Sequence, residues 1–242
     1  IFPKAKIEVI IESLDLLLKL VKFSDLNLSL LSTEGVIKLT SMINHSNLDV
    51  SMKSLKIIEE LLKLTVPQKN VVKSVLACIS DVAKNQNNDQ IKEILIIIAY
   101  LLKSKVTFVK IQSKDNIGII DCFKQFLSSS DNEIVVNSLK LCFSFIFNSV
   151  PQFIDLHDNY YDLLAKDDRT ISTLAASCLT LVYQKRPFKL TDTKNNNLIE
   201  NFLKRELSSD LSSINSQILN LCGVISTSLD GAIFFDDIEL IS

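Results

Sequence analysis

The sequence predicts an all-α protein built as a solenoid of helical repeats, and three observations carry that expectation. Glycine is scarce, with 4 Gly and 4 Pro in 242 residues. That is too few for the positive-φ hairpin turns of a strand-rich fold, whereas helices joined by short polar loops need none. Polar breaks recur at a nearly constant interval. After each break, the apolar residues fall on one stripe of a helix.

The breaks are His45-Ser46-Asn47-Leu48-Asp49, Asn85 to Gln90, Ser128 to Glu133, Lys166 to Thr170 and Ser208 to Ser213, followed at once by Val50, Ile91, Ile134, Ile171 and Ile214. These β-branched anchors are 41, 43, 37 and 43 positions apart, the length of a two- or three-helix repeat unit. Five positions after the anchors stand Leu55, Ile96, Leu139, Ala176 and Leu219. Eight after stand Ile58, Ala99, Cys142, Leu179 and Cys222, and eleven after stand Leu61, Leu102, Phe145, Val182 and Ile225. All are apolar, and offsets 0, 5, 8 and 11 share one side of a helix with 3.6 residues per turn.

A second apolar stretch precedes each break: Gly35 to Ile43, Val71 to Ala83, Ile117 to Leu127, Tyr160 to Leu164 and Leu198 to Leu207. Each repeat is therefore at least a helical hairpin. Ile7 to Lys22 is one further amphipathic helix, a cap or the end of a preceding repeat. Pro67, Pro151 and Pro187 fall between repeats, where a helix must stop. The long polar connection Lys185 to Asn197 reads as a loop within one domain, because the pattern resumes in phase after it. The expected division is a single domain, 1–242, with an N-terminal capping helix or partial repeat (1–32) and repeats over 33–69, 70–114, 115–157, 158–196 and 197–242.

The block Thr33 to Leu64, with its entry Glu34-Gly35-Val36-Ile37, and the related Asp115-Asn116-Ile117-Gly118-Ile119-Ile120, resemble the armadillo repeat and its HEAT-like relatives. The resemblance covers most of the chain and implies a right-handed α-solenoid with a concave face lined by the last helix of each repeat. Importin-type relatives bind basic peptides through Trp and Asn ladders. This chain has no Trp, and Asn148 and Asn220 stand at unlike offsets, 14 and 6. Tubulin-binding arrays of similar length rely on a loop Trp and basic loops that are also missing. The resemblance therefore points to neither cargo.

Composition narrows the function. The formal charge is −2, from 26 basic and 28 acidic residues, so no chain-wide field draws nucleic acid. The longest apolar run, Ile94 to Leu102, is shorter than the ~20 residues a membrane span needs. Five widely spaced cysteines, Cys78, Cys122, Cys142, Cys178 and Cys222, form no CxxC pair and read as small buried hydrophobes in a reducing compartment. The sequons at Asn27 and Asn44 are the chance matches expected of an Asn- and Ser-rich chain. With Ile1 and no Met at the start, the chain reads as a piece of something longer.

Chemistry has little to work with. His45 lies in a break and His157 between Asp155 and Asp158, a polar helix start, and no phosphate loop, nucleophile elbow or HExxH is found. The acidic segment Asp230, Asp236, Asp237 and Glu239, interleaved with Phe234, Phe235, Ile238 and Leu240, reads as the first turn of another repeat or as a partner motif. No cofactor or metal is expected, and no enzyme.

The expected function is a non-catalytic scaffold that binds a partner protein or peptide on the last helices of its repeats. Offsets 3, 6, 10 and 13 should face outward there. They give Lys53, Lys56, Glu60 and Lys63, then Ile94, Ile97, Leu101 and Ser104, then Asn137, Lys140, Ser144 and Phe147, then Leu174, Ser177, Leu181 and Gln184. A helix apolar on every side either buries both faces or shows one to a partner. On the second reading Ile94, Ile97, Leu101 and Phe147 centre a groove, with Lys140, Ser144 and Leu181 alongside. A larger cytoplasmic regulator, with cytoskeletal, trafficking or signalling duties, is the expected setting, and the nucleus the alternative. The rival function is a chaperone cofactor resembling armadillo-type Hsp70 exchange factors or myosin chaperones.

Overall fold

A computed structural model describes residues 6–23, 33–64, 66–82, 87–112, 117–190, 193–207 and 216–238. Fourteen helices and no strand occur among the described residues. They divide into two compact units, Ile1–Phe123 and Lys124–Ser242.

Unit 1 contains α1 (Ile7–Val21), α2 (Thr33–Ile43), α3 (Leu48–Leu64), α4 (Lys69–Val82), α5 (Asn88–Leu101), α6 (Lys105–Gln112) and the start of α7 (Ile117–Leu127). The long helices stack side by side, with α3 between α1 and α5, while α2 and α4 pair behind them. Gly118 lets α7 approach α4 closely, since a Cβ there would lie 3.3 Å from the Ser80 Cβ. Lys53 on α3 reaches Asp15 on α1.

Unit 2 contains the end of α7, then α8 (Asn132–Phe147), α9 (Pro151–Ile154), α10 (His157–Leu164), α11 (Arg169–Lys185), α12 (Thr193–Leu207), α13 (Ser216–Ile225) and α14 (Leu229–Asp237). Here α11 stacks between α8 and α13, with α10 and α12 behind. Beneath the stack, Phe145 stacks on Phe153 at 4.2 Å, and the buried Tyr160 hydroxyl donates to Phe153 O at 2.9 Å.

The breaks are helix caps. Asn47 Oδ1 accepts from the Asp49 and Val50 amides at 3.0 and 3.2 Å, and Asn87 Oδ1 from Gln90 at 3.1 Å. Asp131 Oδ1 accepts from Glu133 and Ile134 at 3.0 and 3.4 Å, and Asp168 Oδ1 from Thr170 and Ile171 at 2.9 and 3.2 Å. Each cap satisfies amides that have no partner inside the helix and is worth about 1 kcal/mol.

The caps also set the register. Val50, Ile134 and Ile171 each lie three residues after a cap, so the equivalent residue in the second repeat is Gln90, not Ile91. Gln90 is buried, and its Nε2 donates to Ser51 Oγ at 2.7 Å; Ser51 Oγ in turn donates to Ile43 O. α3 and α11, each with a long helix on both sides, bury two adjacent stripes, offsets 0, 4, 7, 11 and 1, 5, 8, 12. In α3 these are Val50, Ser54, Ile57 and Leu61, then Ser51, Leu55, Ile58 and Leu62.

The anticipated core positions are accordingly buried in α3, α8 and α11, but in α5 only Ile91 is buried, while Ile96 and Ala99 are exposed and Leu102 is half-buried. In α13 they hold only at Ile225; the residues buried there, among those described, are Ile218, Leu221 and Ile225. Leu219 is exposed there and Cys222 half-buried. The Ile214 anchor lies outside the described residues, as do the Asn27 sequon, Asp115 and Asn116 of the second armadillo-like entry, and Glu239 and Leu240.

Candidate binding cleft

Three of the residues expected to centre a groove are core. Ile94, Ile97 and Leu101 are all 0% exposed. The physical reason is the one-residue register shift: counted from Gln90 they occupy offsets 4, 7 and 11, the stripe that packs inward. Counted from Gln90, offsets 3, 6, 10 and 13 give Glu93, Ile96, Tyr100 and Lys103; Glu93 is buried and Ile96 exposed, and Lys103, just beyond α5, has its Nζ 4.6 Å over the Tyr100 ring.

The unit 2 candidates fare differently. On α8, Lys140 and Phe147 are exposed and Ser144 is half-buried, its Oγ donating to Lys140 O at 3.1 Å. Phe147 shows 67% of its surface. Leu181 is only 8% exposed, yet that remainder lines a cleft of about 420 Å³ between α11 and α13.

Phe143 of α8 walls the cleft on one side, Leu219 and Val224 of α13 on the other, and Leu181 forms the floor. Gly223 also lines it, and a Cβ there would meet nothing within 4 Å. The polar lining is uncharged. Ser177 Oγ donates to Thr173 O at 2.9 Å and lies 3.3 Å from Gln217 Oε1 across the cleft, while Thr180 Oγ1 donates to Ala176 O at 2.9 Å. Both hydroxyls spend their protons on helix carbonyls. The amides of Gln184, Gln217 and Asn220 supply both donors and acceptors. An apolar floor rimmed by carboxamides suits a chain whose backbone must be hydrogen-bonded while its apolar side chains are buried.

Phe143 and Gly223 fall outside the outward offsets, which name one face and overlook the seam between neighbouring helices, whereas Gln217 stands at outward offset 3 of the fifth repeat. Offset 9 on one helix and offset 3 on the next meet at that seam, and this spacing is legible once the caps fix the register.

Neither a family model nor a curated protein matches the sequence. Solved structures do match the fold. A computationally designed armadillo repeat protein for modular peptide recognition shares 10% identity at a TM-score of 0.64, covering 90% of this chain and 99% of that one. A designed armadillo repeat protein in complex with the peptide (KR)4 shares 10% identity at 0.63, covering 88% and 92%. The HEAT-like repeats protein of the archaeon Thermococcus onnurineus NA1 shares 15% at 0.54, covering 93% and 85%. The fold is an armadillo/HEAT-like solenoid.

Within this armadillo/HEAT-like fold, the residues that could carry chemistry are dispersed. No group of three or more His, Cys, Asp or Glu able to hold a metal occurs among the described residues, and no single described helix is long and apolar enough to cross a membrane. His45 Nδ1 accepts the Asn47 amide at 3.0 Å, a turn contact, and His157 stands edge-on to Tyr161 at 6.1 Å. None of the five cysteines is in a disulfide. Burial pushes Cys142 up to about 12 and Cys178 well above the ordinary thiol range. Cys78 and Cys222, expected in the core, are only half-buried. In the acidic C-terminal segment, Phe234 is buried against Phe188 at 5.2 Å and Asp230 Oδ2 accepts the Leu190 amide at 3.2 Å.

Proposed function

We propose that this protein is a non-catalytic binding module, and that unit 2 grips an extended, largely uncharged segment of a partner protein in the cleft between α11 and α13. The carrying observation is the cleft's lining, in which exposed apolar walls alternate with carboxamides and no charged side chain takes part. Two solved proteins of this fold are named for peptide recognition or for a bound peptide, which supports the class of partner. A (KR)4-type ligand is disfavoured here, because a cleft without carboxylates leaves each transferred cation unpaired, at a cost of several kcal/mol.

The test uses an array of immobilised nonapeptides, some uncharged and mixed apolar, some basic, some acidic, probed with the full chain and with Gly223→Leu. The leucine points into open space within a helix that tolerates it, so the fold survives while the cleft is filled. Retention of uncharged peptides by the wild-type chain, lost in Gly223→Leu at unchanged thermal midpoint, is the expected result. Equal retention by both proteins, or selection of (KR)-like peptides, removes the cleft from consideration.

A further inference from the structure

The seam between α3 and α5 holds a feature that the binding cleft does not use. Glu93, at an outward offset of α5, is only 9% exposed, and its Oε1 is enclosed without a hydrogen-bond donor among the described residues. The polar group it meets is another carboxyl, that of Glu59 on α3. Two carboxylates repel, and a buried one is costly. A single proton turns the same contact into an O–H to carboxylate hydrogen bond.

We propose that the Glu59–Glu93 pair is a proton-operated latch that ties α5 to α3 when it holds one proton and loosens unit 1 when that proton leaves to solvent. The proton resides on Glu93. Burial opposes the charge on Glu59, but the contact with Glu93 and then Lys63, whose Nζ lies 2.8 Å from Glu59 Oε1 and 2.8 Å from Glu60 Oε1, keep its carboxyl below the ordinary value, with help from Lys56. These two lysines of α3 are also the cations that act on Glu93. Lys103, just beyond α5, is engaged elsewhere, over Tyr100 and 3.3 Å from Lys63 O.

Burial, followed by the contact with Glu59, raises the Glu93 carboxyl from the ordinary 4.5 to about 7. The folded protein therefore holds a proton that the unfolded chain has already released between those two values. The associated stability is present below about 4.5 and is lost as pH rises through about 7. The latch is thus closed in mildly acidic solution and open in mildly alkaline solution.

The experiment follows the Glu side-chain carboxyl carbons by NMR in the full chain, with Glu93→Gln identifying the Glu93 resonance, alongside urea unfolding at pH 5.5 and 8.5. The Glu93 resonance should titrate near neutrality in the wild-type protein and lower in Glu59→Gln, whose amide can donate to an ionised Glu93. The unfolding constant should rise roughly thirty-fold between the two pH values through this pair alone. That rise should vanish in Glu93→Gln, which carries the protonated form's donor permanently. Amide exchange in α5, corrected for its intrinsic pH dependence, should quicken at pH 8.5 in the wild type only. A Glu93 resonance that titrates in the ordinary carboxylate range overturns the latch, as does a pH dependence that persists in Glu93→Gln. Should Glu93→Gln fail to fold, the wild-type and Glu59→Gln titrations decide the matter.

Discussion

Replacing Ile97 by alanine should be among the most damaging single truncations in unit 1, and the same change at its neighbour Ile96 should be mild. Ile97 has no exposed surface and Ile96 has 38%. Isoleucine to alanine removes three methyl or methylene groups, about 2.4 kcal/mol at roughly 0.8 per buried group. The cavity left in a packed core adds about 1 to 2 kcal/mol. Alanine's better helix propensity returns a few tenths. The net is about 3 to 4 kcal/mol for Ile97→Ala and about 1 kcal/mol or less for Ile96→Ala. Urea unfolding followed by far-ultraviolet circular dichroism measures both, with Ile97→Asp expected to abolish the unit 1 transition. If Ile96→Ala proved the costlier, Ile91 would be the true anchor of the repeat, and Ile97 would return to the surface as a partner contact.

The remaining predictions concern backbone features. Asn87→Ala should cost about 1 kcal/mol and Asn88→Ala almost nothing, because only Asn87 caps α5; thermal midpoints compare them. Ser149 has φ 60 immediately after α8 and directs its own and the Val150 amide to Ile146 O and Phe145 O at 2.9 and 3.0 Å. Ser149→Gly should therefore stabilise unit 2 by roughly 0.5–1 kcal/mol despite losing the Lys185 Nζ bond to Ser149 Oγ. At Gly231 a Cβ would lie 1.9 Å from Ile225 O. Gly231→Ala should dislodge α14 and break the Phe188–Phe234 contact, which hydrogen exchange over residues 229–237 would register as lost protection.

Much of the fold is written in local chemistry. Asn or Asp three residues before an apolar stripe, at intervals near 40, is a cap followed by an amphipathic helix, and three of the five stripes can be assigned from that alone. The second repeat misleads because Asn85 to Gln90 offers several adjacent capping residues, and the position equivalent to Val50 is a glutamine. A search for β-branched anchors settles on Ile91, and one residue of shift turns α5 by about 100°, presenting its core stripe as if it were surface. The fifth stripe misleads differently. Leu219 occupies a position that is core in the middle helices, but among the described residues α13 has a neighbouring long helix on one side only, and no local pattern announces that. The cleft was half legible. Leu181, Ser177 and Gln217 stand at outward offsets, whereas Phe143 stands at offset 9 and matters only because α11 packs beside α8.

The meeting of offset 9 with offset 3 separates the two proposals chemically. At the α3–α5 seam, offsets 9 and 3 are Glu59 and Glu93, two acids that close the seam by sharing a proton. At the α11–α13 seam they are Thr180 and Gln217, a hydroxyl already satisfied by Ala176 O and an amide. Neutral partners there neither repel nor need a proton, so this seam stands open as a cleft across the neutral range. A peptide held only by the unit 2 cleft should therefore bind with an affinity that does not change between pH 5.5 and 8.5, while the stability of unit 1 changes over the same interval. Peptide affinity tracking the Glu93 titration would mean that the bound segment also touches the acidic seam, and the ligand would then have to carry a base.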